Sequence, residues 1–139
     1  MDGDGTLNLL LVEDDEVDVI TVRRAFAAAK LPTQVTVARN GLEALELLRS
    51  GAFPPGRRLV LLDINMPKMT GIELLREVRA DPALSALTVI VMTTSNDDRD
   101  RVEAFRLNVA GYIVKPVTYQ AFEKAMAMIS AYWRLMELP

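Results

Sequence analysis

Four short apolar segments of this 139-residue chain each end in residues able to do chemistry. Leu9–Val12 runs into Glu13, Asp14 and Asp15, and Leu59–Leu62 runs into Asp63, followed by Ile64-Asn65-Met66-Pro67. The segment ending at Met92 runs into Thr93-Thr94-Ser95, and Tyr112–Val114 into Lys115-Pro116. The chain has no histidine and no cysteine. That excludes His-based triads, imidazole and thiolate metal ligands, disulfide frameworks and self-contained phosphohistidine chemistry. Carboxylates, hydroxyls and lysine remain. Two carboxylates ~4 Å apart repel by roughly 4 kcal/mol even at an effective dielectric of 20, so such a cluster requires protonation or a cation. Donors that are all oxygen point to Mg²⁺. A dehydrated carboxylate beside Mg²⁺ can attack a phosphoryl group, and the loose transition state mainly needs charge neutralisation and positioning. Asp63 is the candidate for that attack, with Mg²⁺, Lys115 and the Thr93 hydroxyl each meeting one phosphoryl oxygen. Taken singly these residues have plainer readings: Asp15 as the N-cap of a helix, Lys-Pro as a turn. Their joint occurrence at four segment ends is much harder to explain that way.

The elements that must position them can be read from periodicity. The apolar runs Leu7–Val12, Val35–Ala38, Leu59–Leu62, Thr88–Met92 and Tyr112–Val114 read as strands, three of them nearly continuous, as expected of strands covered on both faces. Between them lie segments of helical period. Val17, Ile20, Val22 and Phe26 mark the first helix, stopped by Pro32. Asn40 lies three residues before Glu43, and Thr70 three before Glu73, two capping-box signatures. Leu42, Leu45 and Leu48 form the stripe of the second helix; Ile72, Leu75 and Val78 that of the third. Asp81-Pro82 starts a short extra turn. Asp97–Leu107 reads as a polar helix anchored by Val102 and Phe105, and Thr118–Leu138 as the last helix, with Phe122, Ala125, Ile129 and Trp133 on one face. Ser50–Arg58 reads as a surface connection. One strand per helix, five times over, predicts an α/β fold with a parallel sheet covered on both faces. In such a sheet ligands bind beyond the carboxyl ends of the strands, where strand order reverses. That is the rim carrying the reactive residues.

The composition narrows the partners. Half of the residues are hydrophobic and a quarter charged, the mix of a globular core. A net charge of −3 with no basic block disfavours unaided nucleic-acid binding. The N-terminus is acidic and glycine-rich rather than a signal peptide, and the apolar runs are too short to span a bilayer, so a cytoplasmic location is expected. The length suits one domain over 1–139, with a core from about 7 to 131 and residues 132–139 lengthening the last helix. Tyr132, Trp133 and Met136 carry more apolar surface than one buried stripe requires, which suggests a partner or a homodimer through that helix.

The segments LLLVEDDE (9–16), LVLLDINMPKMTGIELL (59–75), VIVMTTS (89–95) and GYIVKP (111–116) together resemble the receiver domain of two-component response regulators, from about Leu7 to about Ala131. The resemblance implies a doubly wound (βα)5 flavodoxin-like fold with strand order 2-1-3-4-5. It implies that Asp63 is the phosphoacceptor and that Glu13 and Asp14, with the backbone carbonyl of Asn65, hold Mg²⁺. Thr93 is similar to the switch hydroxyl, Tyr112 to the aromatic that moves with it, and Lys115 to the lysine that pairs with the phosphoryl group. The Lys115–Pro116 bond is expected to be cis. Thr94 and Ser95 stand at positions that tune phosphorylation rates, and the bulk of Thr94 is expected to slow donor access or hydrolysis. Glu13 stands where the family more often has Asp. Val117, the TTS triplet and Ala131-Tyr132-Trp133 look like stand-alone receivers paired with phytochrome-type histidine kinases.

The function this implies is a phosphorylation-controlled signalling module. It is charged by an external sensor histidine kinase and switches the surface of the fourth helix, fifth strand and fifth helix, with no output domain and no turnover of an external metabolite. Two alternatives come from other classes. A phosphatase with an aspartyl-phosphate intermediate needs a second Asp two residues after the nucleophile, where this chain has Asn65, which cannot serve as the general acid. A receiver-like interaction or dimerisation module that is never phosphorylated has no need for crowded carboxylates beside a lysine.

Overall fold

A computed structural model describes residues 6–28, 32–115 and 118–135. Strands and helices alternate: β1 (Leu7–Val12), α1 (Glu16–Ala28), β2 (Thr33–Ala38), α2 (Gly41–Ser50), β3 (Arg57–Leu62), α3 (Gly71–Ala80), β4 (Val89–Thr93), α4 (Asp98–Arg106), β5 (Gly111–Val114) and α5 (Tyr119–Leu135). The strands form one sheet of order β2-β1-β3-β4-β5, and every pair is parallel. This is the doubly wound flavodoxin-like fold. No helix among the described residues is long and apolar enough to cross a membrane.

The strands read as unbroken apolar runs because both of their faces are covered. Leu7, Leu9 and Leu11 of β1, Leu59 and Leu61 of β3, and Ile90 and Met92 of β4 pack with Val19, Val22, Ala25 and Phe26 of α1 and Phe122 of α5. The alternate residues Leu10, Val12, Val60, Leu62, Val89 and Val91 pack on the opposite side with α2, α3 and Ala104 of α4. The one polar side chain inside β1, Asn8, is buried and donates to the carbonyl of Pro55 at 2.8 Å.

Both predicted N-caps form. Asn40 accepts the Glu43 N–H at 2.8 Å, and Thr70 forms the complete reciprocal box with Glu73. Several packing expectations are corrected. Val17, Ile20 and Leu42 are exposed, and so are the supposed anchors Val102 and Phe105; α4 buries only Ala104. A helix buries a limited stripe, and where two apolar stripes compete the sheet's shape selects one. In α1 that stripe is Val19, Val22 and Phe26. The segment 50–58 is more than a surface connection: Phe53 is fully buried in the core cluster, and Arg58 holds the loop by donating to the carbonyls of Phe53 and Pro54, each at 2.8 Å. The expected cis bond at Lys115–Pro116, Val117, and the side chains of Ile129, Tyr132, Trp133, Met136 and Leu138 lie outside the described residues.

Candidate functional site

Sheet register brings the reactive residues together. The chain leaves β1 toward β2 on one side and returns to β3 on the other, so β1 and β3 are neighbours with Val12 opposite Leu62. The next residue on each strand is therefore Glu13 beside Asp63, and the Asp63 N–H donates to the Val12 carbonyl at 3.0 Å. At the far side Thr93 lies opposite Val114, and the Lys115 N–H donates to the Thr93 carbonyl at 2.7 Å. One sheet rim thus carries Glu13, Asp14, Asp63, Thr93 and Lys115, as expected at a topological switch point.

Asp63 and Glu13 are buried and Asp14 is exposed. One carboxylate oxygen from each lies within 4.8 Å of the others. Three hard oxygen donors at that spacing fit a divalent cation. Asp63 is anchored from its own loop, its Oδ1 accepting the Asn65 N–H at 3.1 Å. Gly71 lets the chain turn closely beneath it: a β-carbon there would lie 2.5 Å from the Asp63 carbonyl oxygen and 2.7 Å from the Ile64 Cα. Lys68 and Met69 in the same loop adopt left-handed backbone angles, φ 49° and 70°, so this turn holds the strained conformations often found beside functional groups.

Glu13 is 1% exposed. Burial, reinforced by the charge of Asp63, pushes its carboxyl up to about 7, against the opposing hydrogen bond and charge of Lys115. Lys115 donates to Glu13 Oε1 at 2.8 Å and to Asp18 Oδ2 at 2.6 Å, and lies 3.8 Å from Asp63 Oδ2. Burial by itself would lower the lysine; the bonds to Asp18 and Glu13 and the charge of Asp63 hold it above its ordinary value. A positive charge is therefore fixed beside Asp63.

Asp18 is the site residue that sequence reading missed. A signal existed: it lies in the first turn of α1, and helical side chains tilt toward the N-terminus, here toward the rim. Asp15 takes the plain reading instead, its carboxylate accepting the N–H groups of Val17 and Asp18 at 2.9 and 3.3 Å as the cap of α1.

Thr93 is fully buried, and its hydroxyl accepts the Ser95 N–H at 3.2 Å. The Asn65 side-chain amide reaches the Thr94 hydroxyl at 3.3 Å across the rim. Ser95 donates to Asp100 at 2.5 Å. Tyr112 is half-buried and donates to the Ser95 carbonyl at 3.1 Å, with the Arg101 guanidinium 5.4 Å from its ring centre. Thr93 at the end of β4 and Tyr112 of β5 are thus both bonded to Ser95, in the loop between β4 and α4.

A parallel sheet of this order, with an acidic cluster and a lysine on one rim, is the architecture of a receiver domain. The response regulator receiver domain matches residues 9–127, and the chain belongs to that family. Among particular proteins, it is 31% identical to response regulator Rcp1 of Synechocystis over 128 residues, 90% of this chain and 87% of that protein. The Mn²⁺-bound form of Rcp1 superposes with a TM-score of 0.83, covering 96% of this chain and 98% of that one. The phosphorylated cyanobacterial phytochrome response regulator RcpA is 33% identical with a TM-score of 0.82, covering 94% and 96%. A probable methanogenesis regulatory protein, FilR2 of Methanothrix harundinacea, is 33% identical over 127 residues, 90% of this chain and 82% of that one.

Proposed function

We propose that this receiver takes a phosphoryl group on Asp63 from a phosphohistidine of a sensor histidine kinase in the cytoplasm. The observation that carries the reading is the convergence of Glu13, Asp14 and Asp63 oxygens within 4.8 Å, with the Lys115 ammonium 3.8 Å from Asp63. An Asp63 oxygen attacks phosphorus, the new O–P bond replaces the donor's N–P bond, and the electron pair of the broken bond leaves on the imidazole. Glu13, Asp14, Asp63 and the backbone carbonyl of Asn65 would hold Mg²⁺, which when bound neutralises charge developing on the phosphoryl oxygens. Lys115 supplies a positive charge to a second oxygen, and the Thr93 hydroxyl a hydrogen bond to a third. Movement of Thr93 pulls on the loop that also holds Tyr112, and so biases the surface of α4, β5 and α5. The chain catalyses only its own phosphoryl gain and loss, and Thr94 and Ser95 tune those rates.

A phytochrome-type kinase is the favoured donor class, supported by the similarity to RcpA and Rcp1. Self-association through the end of α5, at Tyr132, Trp133 and Met136, belongs to the same reading and is tested by light scattering with and without a phosphoryl mimic. The central test is incubation with acetyl phosphate and Mg²⁺, read by intact mass. Wild type gains one phosphoryl group and Asp63→Asn gains none. No gain in wild type, or equal gain in both, leaves a receiver-shaped interaction module as the better account.

A further inference from the structure

Lys115, the cation that must meet a phosphoryl oxygen, is directed mainly at other groups. An ammonium has three donors. One goes to Glu13 at 2.8 Å and one to Asp18 at 2.6 Å, while Asp63 Oδ2 stands at 3.8 Å, beyond hydrogen-bond length. The Asp18 contact is the shortest of the three and bridges α1 to the end of β5. The lysine side chain is 10% exposed and the aspartate 27%, so the pair is screened less than a surface salt bridge. Asp18 is held in place by its own backbone, whose N–H donates to the capping carboxylate of Asp15. It also borders an open cavity of about 260 Å³ shared with Lys115, Thr94, Met92 and Phe122. That space lets the carboxylate meet water once the lysine leaves, so the contact can open without a steric barrier.

We propose that Asp18 is a positioning residue for phosphoryl capture, a latch that draws Lys115 away from Asp63 until a phosphoryl group outcompetes it. The inference rests on the reading of Asp63 as phosphoryl acceptor and adds a determinant of how tightly that group is held. Affinity for an anion on Asp63 is reduced by the fraction of molecules in which Lys115 is free to reach it. Removing the latch raises affinity through Lys115 and through no other group.

The test uses beryllofluoride with saturating Mg²⁺ as the phosphoryl stand-in, read by the ¹⁹F resonance of the bound species. Thermal unfolding checks the fold of each variant. Asp18→Asn is expected to bind about fivefold more tightly than wild type, equivalent to about 1 kcal/mol. Asp18→Glu, which keeps a carboxylate within reach of the lysine, returns the affinity toward wild type. In a Lys115→Ala background Asp18→Asn has no effect, and Glu16→Gln, which removes a charge from the same turn of α1 but pairs with Arg39 rather than Lys115, leaves affinity unchanged. Equal or weaker binding by Asp18→Asn overturns the latch. So does a matching gain from Glu16→Gln, which would mean that simple loss of negative charge is sufficient. A wild type with no bound fluoride signal instead overturns the assignment of Asp63, and that outcome is visible before any variant is made.

Discussion

Glu13 carries the cost of the acidic rim, and replacing it with Gln isolates that cost. Its carboxyl is displaced from 4.5 to about 7 by burial and by the charge of Asp63. Each tenfold change in proton affinity is worth ~1.4 kcal/mol, so ionising Glu13 costs the metal-free fold on the order of 3 kcal/mol. The sign follows from proton counting. Between about pH 4.5 and 7 the folded chain keeps a proton that the unfolded chain has lost, so stability contributed by this group falls as pH rises through that window and levels off above it. Gln keeps an oxygen able to accept from Lys115 and does not titrate. In urea unfolding with a chelator present, Glu13→Gln is therefore close to wild type near pH 4.5 and more stable at pH 8 by up to about 3 kcal/mol. Addition of Mg²⁺ at pH 8 stabilises wild type by mass action and helps the variant much less. A stability difference that is the same at pH 5 and pH 8 refutes the assignment of the strain to this carboxyl.

Three other substitutions probe the supports of the site. Gly71→Ala places a β-carbon 2.5 Å from the Asp63 carbonyl oxygen, so we expect a loss of about 1–3 kcal/mol in urea unfolding together with slower labelling by acetyl phosphate; unchanged labelling contradicts the claim that this turn positions Asp63. Thr94→Ala removes both bulk and the partner of Asn65 at 3.3 Å, and is expected to raise phosphorylation and hydrolysis rates about two- to fivefold, the scale of one modest hydrogen bond. Phosphoryl gain and decay followed by intact mass decide it, and identical rates remove any tuning by Thr94. Phe53→Ala empties a fully buried position and should cost about 3–5 kcal/mol at an unchanged denaturant slope; a loss below about 1 kcal/mol means the loop before β3 is not part of the core.

Much of this was legible from the chain alone. Alternation of apolar runs with capped helical segments carried the fold class, because period and capping are local properties that neighbouring residues already express. Thr70 with Glu73 and Asn40 with Glu43 marked two helix starts that the structure keeps. The candidate site was legible for the same reason: in a parallel sheet the residue after each strand has nowhere to go but the rim. Helix facing was less legible. Val17, Ile20, Val102 and Phe105 satisfy a helical period yet face outward, because period alone does not say which of two apolar stripes meets the sheet. Phe53 looked like part of a surface loop and is core.

What the sequence determined by itself was therefore the list of reactive groups and the edge they occupy, since both follow from residue type and strand alternation. What only the tertiary structure decided was who touches whom across that edge. Asp18 and Lys115 are 97 positions apart, and no local pattern links them. Their contact exists because α1 and α5 pack side by side on one face of the sheet, which brings the start of α1 to the residue that follows β5, and the balance of charges there is fixed by distances that folding alone creates.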